Sequence, residues 1–180
     1  MNASSIRLIY RTLALLVVLG VIYAVAKDPF RVAETRASVA LLGLFGAGNH
    51  VIYIQPYSIA VLPSGAEPFE AVVTLSCSSL ASALSIICMG AIAPRGRAFR
   101  RTFATLTAVG LVVGGNIVRI TVSIVVGIFY GRGSLVLFHD WAGSTFTFIY
   151  TLGGFMIMLM MLMDKRAAIP RTQENHVEHV

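Results

Sequence analysis

The chain has 180 residues, 57% of them hydrophobic and only 12% charged, with a formal net charge of +6. Soluble domains run nearer about 45–50% apolar and about 25% charged. That balance excludes a disordered chain, a nucleic-acid-binding domain of ordinary composition and a secreted disulfide scaffold, and it leaves a small polytopic membrane protein.

Four stretches are long and apolar enough to cross a bilayer core of about 30 Å, which takes about 20 helical residues. They are Leu8–Ala26, Val72–Ala93, Phe103–Phe129 and Trp141–Met163. The expected fold is therefore an all-α bundle of about four transmembrane helices, forming one membrane domain over residues 1–163, with an outer loop at 27–71. The first stretch, preceded by Arg7, containing Arg11 near its start and ending in Ala24-Val25-Ala26, also fits a cleavable signal peptide. A retained anchor is the expectation, because nothing soluble needs release. Val39–Ile54 is apolar but interrupted by Gly46, Gly48, Asn49 and His50, and reads as an outer interfacial helix running into extended chain. His50–Ala60, the turn at Pro63-Ser64-Gly65 and Ala71–Thr74 suggest a short β-hairpin. The tail Asp164–Val180 is polar and mixed in charge, and reads as disordered.

Basic residues mark the cytoplasmic side of a membrane protein. With the N-terminus inside, the cytoplasmic pieces hold Arg7, Arg11, Arg95, Arg97, Arg100, Arg101, Lys165, Arg166 and Arg171, against Lys27, Arg31, Arg36 and Arg132 outside. If Val39–Ile54 crossed, only the first span would change direction. In both arrangements Cys77, the Phe129 end of the third span and His139 face outward. The location is a cell (plasma or inner) membrane, multi-pass.

Arg119 is the sharpest signal, because an ionisable group inside a span costs several kcal/mol on insertion (about 2.5–3.5 or more) and marks function by default. Counted back from Phe129 it lies about 15 Å from the outer end. Asn116 shares its helix face, and Gly114 and Gly115 admit a close neighbouring helix. The bland alternative is a structural arginine bonded to carbonyls. Cys77, in Ser76-Cys77-Ser78-Ser79 at the outer start of the second span, sits where a helix N-terminus and nearby cations lower a thiol pKa. Its serines offer caps and hydroxyls, although most cysteines are only small buried hydrophobes. Cys88, among Ile86, Ile87 and Met89, reads as packing. About 16 Å of helix separates it from Cys77, too far for a disulfide. His139 precedes the fourth span, with Asp140 as the expected N-cap, Trp141 at the interface and Gly143 clearing the same face. Together the thiol, guanidinium and imidazole supply a nucleophile, a charge stabiliser and a proton shuttle. His50 reads as a loop histidine, while His176 and His179 lie in the tail. No zinc spacing, phosphate loop or dinucleotide motif is present, so no metal or cofactor is expected.

In order and spacing, Thr74-Leu75-Ser76-Cys77-Ser78-Ser79-Leu80, Asn116-Ile117-Val118-Arg119 and His139 with Gly143 resemble the motifs of the exosortase/archaeosortase family of membrane transpeptidases. The likeness covers roughly residues 37–163. Ser79 stands where the family has glycine after Cys-Ser, and the chain is short beside larger members, so the resemblance is to a compact, divergent member with a Cys-Ser-Ser-Leu motif. The resemblance implies cysteine-type cleavage of membrane-anchored proteins at a C-terminal sorting signal: a short motif, a transmembrane helix and a basic cluster. It assigns Cys77 as the nucleophile forming a thioester and Arg119 as stabiliser of the thiolate or oxyanion. His139 would be the acid and base, with Asn116, Ser78 and Gly143 in support. Two rivals belong to other classes: a non-catalytic membrane scaffold subunit of an export or polysaccharide assembly system, and a membrane thiol acyltransferase with a lipid donor.

Overall fold

A computed structural model describes residues 3–63, 65, 67–93 and 98–163. The C-terminal tail, Ser64 and two members of the basic cluster, Arg95 and Arg97, lie outside the described residues, as do the side chains of Arg7 and Arg11. The chain is mostly helical with a small three-stranded sheet. Its elements are α1 (Ala3–Leu44), β1 (Val51–Gln55), β2 (Ser58–Val61), β3 (Phe69–Val72), α2 (Leu80–Ile92), α3 (Ala98–Leu137) and α4 (Gly143–Met163). Two helical stretches among the described residues are long and apolar enough to cross a membrane. They are Thr12–Leu44 and Ala98–Met163, the latter folded back on itself at Gly131.

Several boundaries differ from the sequence expectation. The first helix does not stop at Ala26 before a loop and a separate interfacial helix; it runs unbroken through Pro29 to Leu44. Its first half exposes Leu13, Leu16, Val17, Val21 and Val25. Its second half buries Arg31, Glu34, Thr35, Ser38 and Leu42, spaced three and four apart so that they form one stripe against the rest of the molecule. Val51–Gln55 is strand, within the stretch His50–Ala60 expected to be extended. The hairpin is a three-stranded antiparallel sheet in the order β1-β2-β3. Val72–Ala93 is not one helix, since β3 includes Val72 and a single turn of 3₁₀ helix, Leu75–Cys77, precedes α2. At 13 residues α2 is about 20 Å long, short of a full crossing.

The last two helices form a hairpin whose fold point is Gly131, with φ 79° and ψ 178°. A side chain is strained at that φ, so glycine permits the reversal. Residues equidistant from Gly131 then face each other: Arg119 meets Gly143, and Gly154 packs on the Ala108 carbonyl. Just beyond the reversal, Leu135 folds onto Gly127. A Cβ on Gly115 would sit 2.8 Å from the Tyr150 ring, so glycine is what lets α4 approach α3 there. Gly114 has nothing near it.

Two apolar clusters stack along α3. One joins Leu42, Ile59, Val61, Val73, Cys77, Ile120, Ile124 and Ile128; the other joins Ile86, Ala104, Ala108, Val112 and Met158. The polar layer around Asn116 and Arg119 lies between them.

Candidate active site

Cys77 ends the 3₁₀ turn that follows β3, and its side chain is buried. Its Sγ lies 3.1 Å from His139 Nε2 and 3.1 Å from Thr74 Oγ1. His139 arrives from the turn Phe138–Ala142 that leads from the Gly131 reversal into α4. Its other ring nitrogen, Nδ1, lies 3.1 Å from Asp140 Oδ1. Asp140 does not cap α4 with its side chain; it orients the imidazole, leaving Nε2 for the sulfur.

Cys77 sits in a 3₁₀ turn and His139 in the π-helical turn that joins α3 to α4 without a break, and each bears on the other's proton. Burial pushes the Cys77 thiol up, but the hydrogen bonds with His139 and Thr74 and the nearby imidazole outweigh it, lowering the value from 9.0 to about 7. The hydrogen bond to Cys77 raises His139 above its ordinary 6.5; burial opposes this, and Asp140 adds to the rise. Each group thus favours the charged form of the other, thiolate beside imidazolium. In a Cys88→Ala background, iodoacetamide should alkylate Cys77 at a rate that climbs through about pH 7, because the thiolate forms above the lowered value. His139→Ala removes the bond and the charge, so the midpoint should move up toward 9.0. An unchanged midpoint would mean that His139 does not tune the thiol.

Arg119 is 6% exposed and its fork ties two elements together. Nη1 donates to Thr147 Oγ1 at 2.7 Å and to the Gly143 carbonyl at 3.4 Å, both on α4, while Nη2 donates to the Cys77 carbonyl at 3.1 Å. The contact to the nucleophile is thus to its main chain, not to its sulfur. Nε is buried without a partner. Gly143 lies against Arg119, where a Cβ would be 3.6 Å from Cδ, so its glycine does not clear a face for His139. Asn116, 1% exposed, donates one Nδ2 proton to the Cys77 carbonyl (2.8 Å) and one to Glu34 Oε1 (2.7 Å), and accepts from the Tyr150 hydroxyl (3.0 Å). The Cys77 carbonyl is thereby held by two side chains from α3. Ser78 Oγ accepts weakly from the Leu80 N–H at 3.4 Å, which makes it a local brace for the start of α2. Cys88 is half-buried in α2. His50 directly precedes β1, the strand farthest from β3, its Nδ1 3.0 Å from the Leu62 carbonyl.

Two residues of α1 that sequence reasoning placed in an outer loop belong to this layer. Glu34 is 2% exposed, and its Oε1 accepts from the Ser79 N–H (3.1 Å), the Ser79 hydroxyl (2.6 Å) and Asn116 Nδ2. The serine that stands where the resembled family has glycine is therefore bonded to a carboxyl group. Arg31 donates from Nε (3.0 Å) and Nη2 (2.6 Å) to the Val73 carbonyl, bonds Asp28 and lies 4.2 Å over the Tyr57 ring. It pins the end of β3 from which the Cys77 turn departs. The signal in the sequence was the spacing of Arg31, Glu34, Thr35 and Ser38 along a continuing helix.

No protein-family model matches the chain, and no curated protein or solved structure is significantly similar to it. The site must stand on its own geometry. Among the described residues no group of three or more His, Cys, Asp or Glu side chains could hold a metal ion.

Glu34 offers a test of that geometry. Glu34→Ala strands buried donors on Ser79 and Asn116, each costing about 1–3 kcal/mol when unsatisfied. The expected loss is about 2–4 kcal/mol of stability, read as a lower unfolding temperature in detergent. Glu34→Gln keeps an oxygen for those donors and should lose less. Equal stability of the alanine variant would contradict the bonding described.

Proposed function

We propose that the chain is a multi-pass membrane cysteine transpeptidase that cleaves C-terminal sorting signals of membrane-anchored proteins on the outer side of a cell membrane. The observation that carries this reading is the 3.1 Å contact between Cys77 Sγ and His139 Nε2, with Asp140 on the far ring nitrogen. A thiol that serves only packing has no use for a ring oriented by a carboxylate. The order of motifs that resembles the exosortase/archaeosortase family supports the same reading.

In the proposed reaction the Cys77 thiolate attacks the scissile carbonyl carbon, and the resulting oxyanion collapses to a thioester as the C–N bond breaks. His139 gives its Nε2 proton to the departing amine. The neutral imidazole then takes a proton from the accepting nucleophile, which attacks the thioester and returns the thiolate. Arg119 and Asn116 fix the Cys77 main chain, so the sulfur faces the substrate in one orientation. Arg119 is a positioning residue as well as a nearby positive charge.

The membrane reading follows from the same layer. Arg100 and Arg101 begin α3, and Arg119 lies about 30 Å further along it, roughly one bilayer core. With the basic end in the cytoplasm, the polar layer and Cys77 fall at the outer boundary. An open sheet edge cannot face hydrocarbon, which also keeps β1–β3 outside the lipid. Four crossings result, with α2 and the Cys77 turn together completing the second.

A protein ending in a short motif, an apolar helix and a basic cluster, co-expressed with this chain, should lose its C-terminal segment. A substrate that stays intact with the native chain contradicts the reading. In intact cells, a cysteine introduced at Glu67 of a Cys77→Ala, Cys88→Ala protein should react with an impermeant maleimide, and one introduced at Phe99 should not. Reversed labelling would place the site on the wrong side.

A further inference from the structure

A cavity of about 280 Å³ opens beside Cys77. One wall is made by every residue from Phe69 to Thr74, with Ile59 of β2 behind them, and the other by α3 and the segment that carries His139. Alternate residues of a strand point to opposite faces of a sheet, so a cavity bordered by all of them runs along the strand's edge. Among the described residues, the order β1-β2-β3 leaves that edge of β3 without a partner strand.

The hydrogen-bond parity says which groups are free. The Val73 N–H donates to the Tyr57 carbonyl at 2.9 Å, and the register then sets Val72 opposite Ser58, Ala71 opposite Ile59 and Glu70 opposite Ala60. Opposed residues in an antiparallel ladder alternate between exchanging both bonds and exchanging none. Phe69, Ala71 and Val73 therefore turn toward β2, whereas Glu70 and Val72 turn N–H and C=O toward the cavity. The other side of β2 agrees, since the Leu62 N–H bonds the His50 carbonyl at 2.7 Å, which turns Ala60 toward β1.

We propose that the free edge of β3 is the substrate-binding strand. An extended segment of the substrate polypeptide adds to it through the main chain of Glu70 and Val72 and is delivered along the cavity to Cys77. The proposal rests on the transpeptidase reading and deepens it by assigning the conformation in which substrate binds. The occupant is a polypeptide because the wall offers a donor–acceptor repeat that an extended main chain complements, and because the cavity ends at a nucleophile suited to a peptide carbonyl. Main-chain pairing is indifferent to side chains, so specificity would come from the alternate positions that meet the cavity walls.

The test uses the Cys88→Ala protein in detergent. Chloroacetamide measures the reactivity of Cys77 itself. A mixed-sequence hexapeptidyl chloromethyl ketone, which forms a thioether with loss of chloride, measures what the edge adds. The peptide should label Cys77 on the order of tenfold faster than a single-residue chloromethyl ketone, since several main-chain bonds contribute. N-methylation of alternate amides should erase that gain in one of the two alternating patterns and spare it in the other. Val72→Pro removes an edge N–H that β2 does not use, as an edge strand tolerates, and should erase the gain as well. Absence of a gain, or one that survives both methylation patterns and Val72→Pro, overturns the proposal. So does a dodecyl chloroacetamide that outpaces the peptide, which would give the cavity to an acyl chain. If chloroacetamide leaves Cys77 untouched, the transpeptidase reading fails separately. Fluorescence anisotropy of the unreactive peptide, with the same two methylation patterns, then still decides the edge.

Discussion

Cys77→Ala should leave the protein inserted and folded while abolishing cleavage of a sorting-signal substrate, a loss of about 10⁴-fold or more by comparison with removal of other covalent nucleophiles. The fold should survive because the change removes one sulfur from the edge of a cluster that also holds Leu42, Ile59, Val61 and Ile120. The main-chain carbonyl that Arg119 and Asn116 hold is untouched. Cys88→Ala removes a half-buried sulfur from α2, away from the Cys77 turn, and should cost little activity. A scaffold protein would respond oppositely: both variants would behave alike, as small losses of packing. Cleavage assays on the two variants, with expression measured alongside, separate these outcomes.

Arg119→Lys should insert normally and lose about 10²-fold or more in activity, the scale of a lost preorganised donor. The reason is geometric. The guanidinium reaches Thr147 and Gly143 with one nitrogen and the Cys77 carbonyl with another, so it clamps α4 to the nucleophile's turn. An ammonium is a single point and cannot span both. Arg119→Leu separates positioning from mere burial. Its charge lowers the affinity of His139 for a proton, so the leucine variant should show the His139 limb of the activity profile at higher pH as well as a reduced rate. An active leucine variant with an unshifted profile would remove Arg119 from the mechanism.

The chemistry of the site was legible in the sequence where polar residues interrupt apolar runs. Asn116 and Arg119 stand out because little else in their span is polar, Cys77 and His139 because they sit in short polar segments at span ends, and the structure gathers all four around the Cys77 turn. What lay beyond reach was the local context that decides each role. The apolar run stops at Ala26, before Lys27-Asp28-Pro29, so hydropathy ended the first helix at that polar break. In the fold α1 continues through it, because the stripe from Arg31 to Leu42 buries against α3 and the sheet. Tertiary packing outweighed the local signal there, and it hid Glu34 and Arg31. The beginning of the second span was misread for a related reason. Val72 and Val73 are as apolar as the helix that follows, so hydropathy could not mark where β3 ends and the turn bearing Cys77 begins. The role of Gly143 was likewise a matter of register. Only the reversal at Gly131 places it beside Arg119.

The central claim is that Cys77 carries the substrate as a thioester. Its most direct test is peptide mapping by mass spectrometry of the protein isolated after co-expression with a sorting-signal substrate. The account predicts an acyl-peptide mass on Cys77 that neutral hydroxylamine removes and that is absent from Cys88. Substrate cleaved at the native rate by a Cys77→Ala protein, with no such adduct on the native chain, would contradict it.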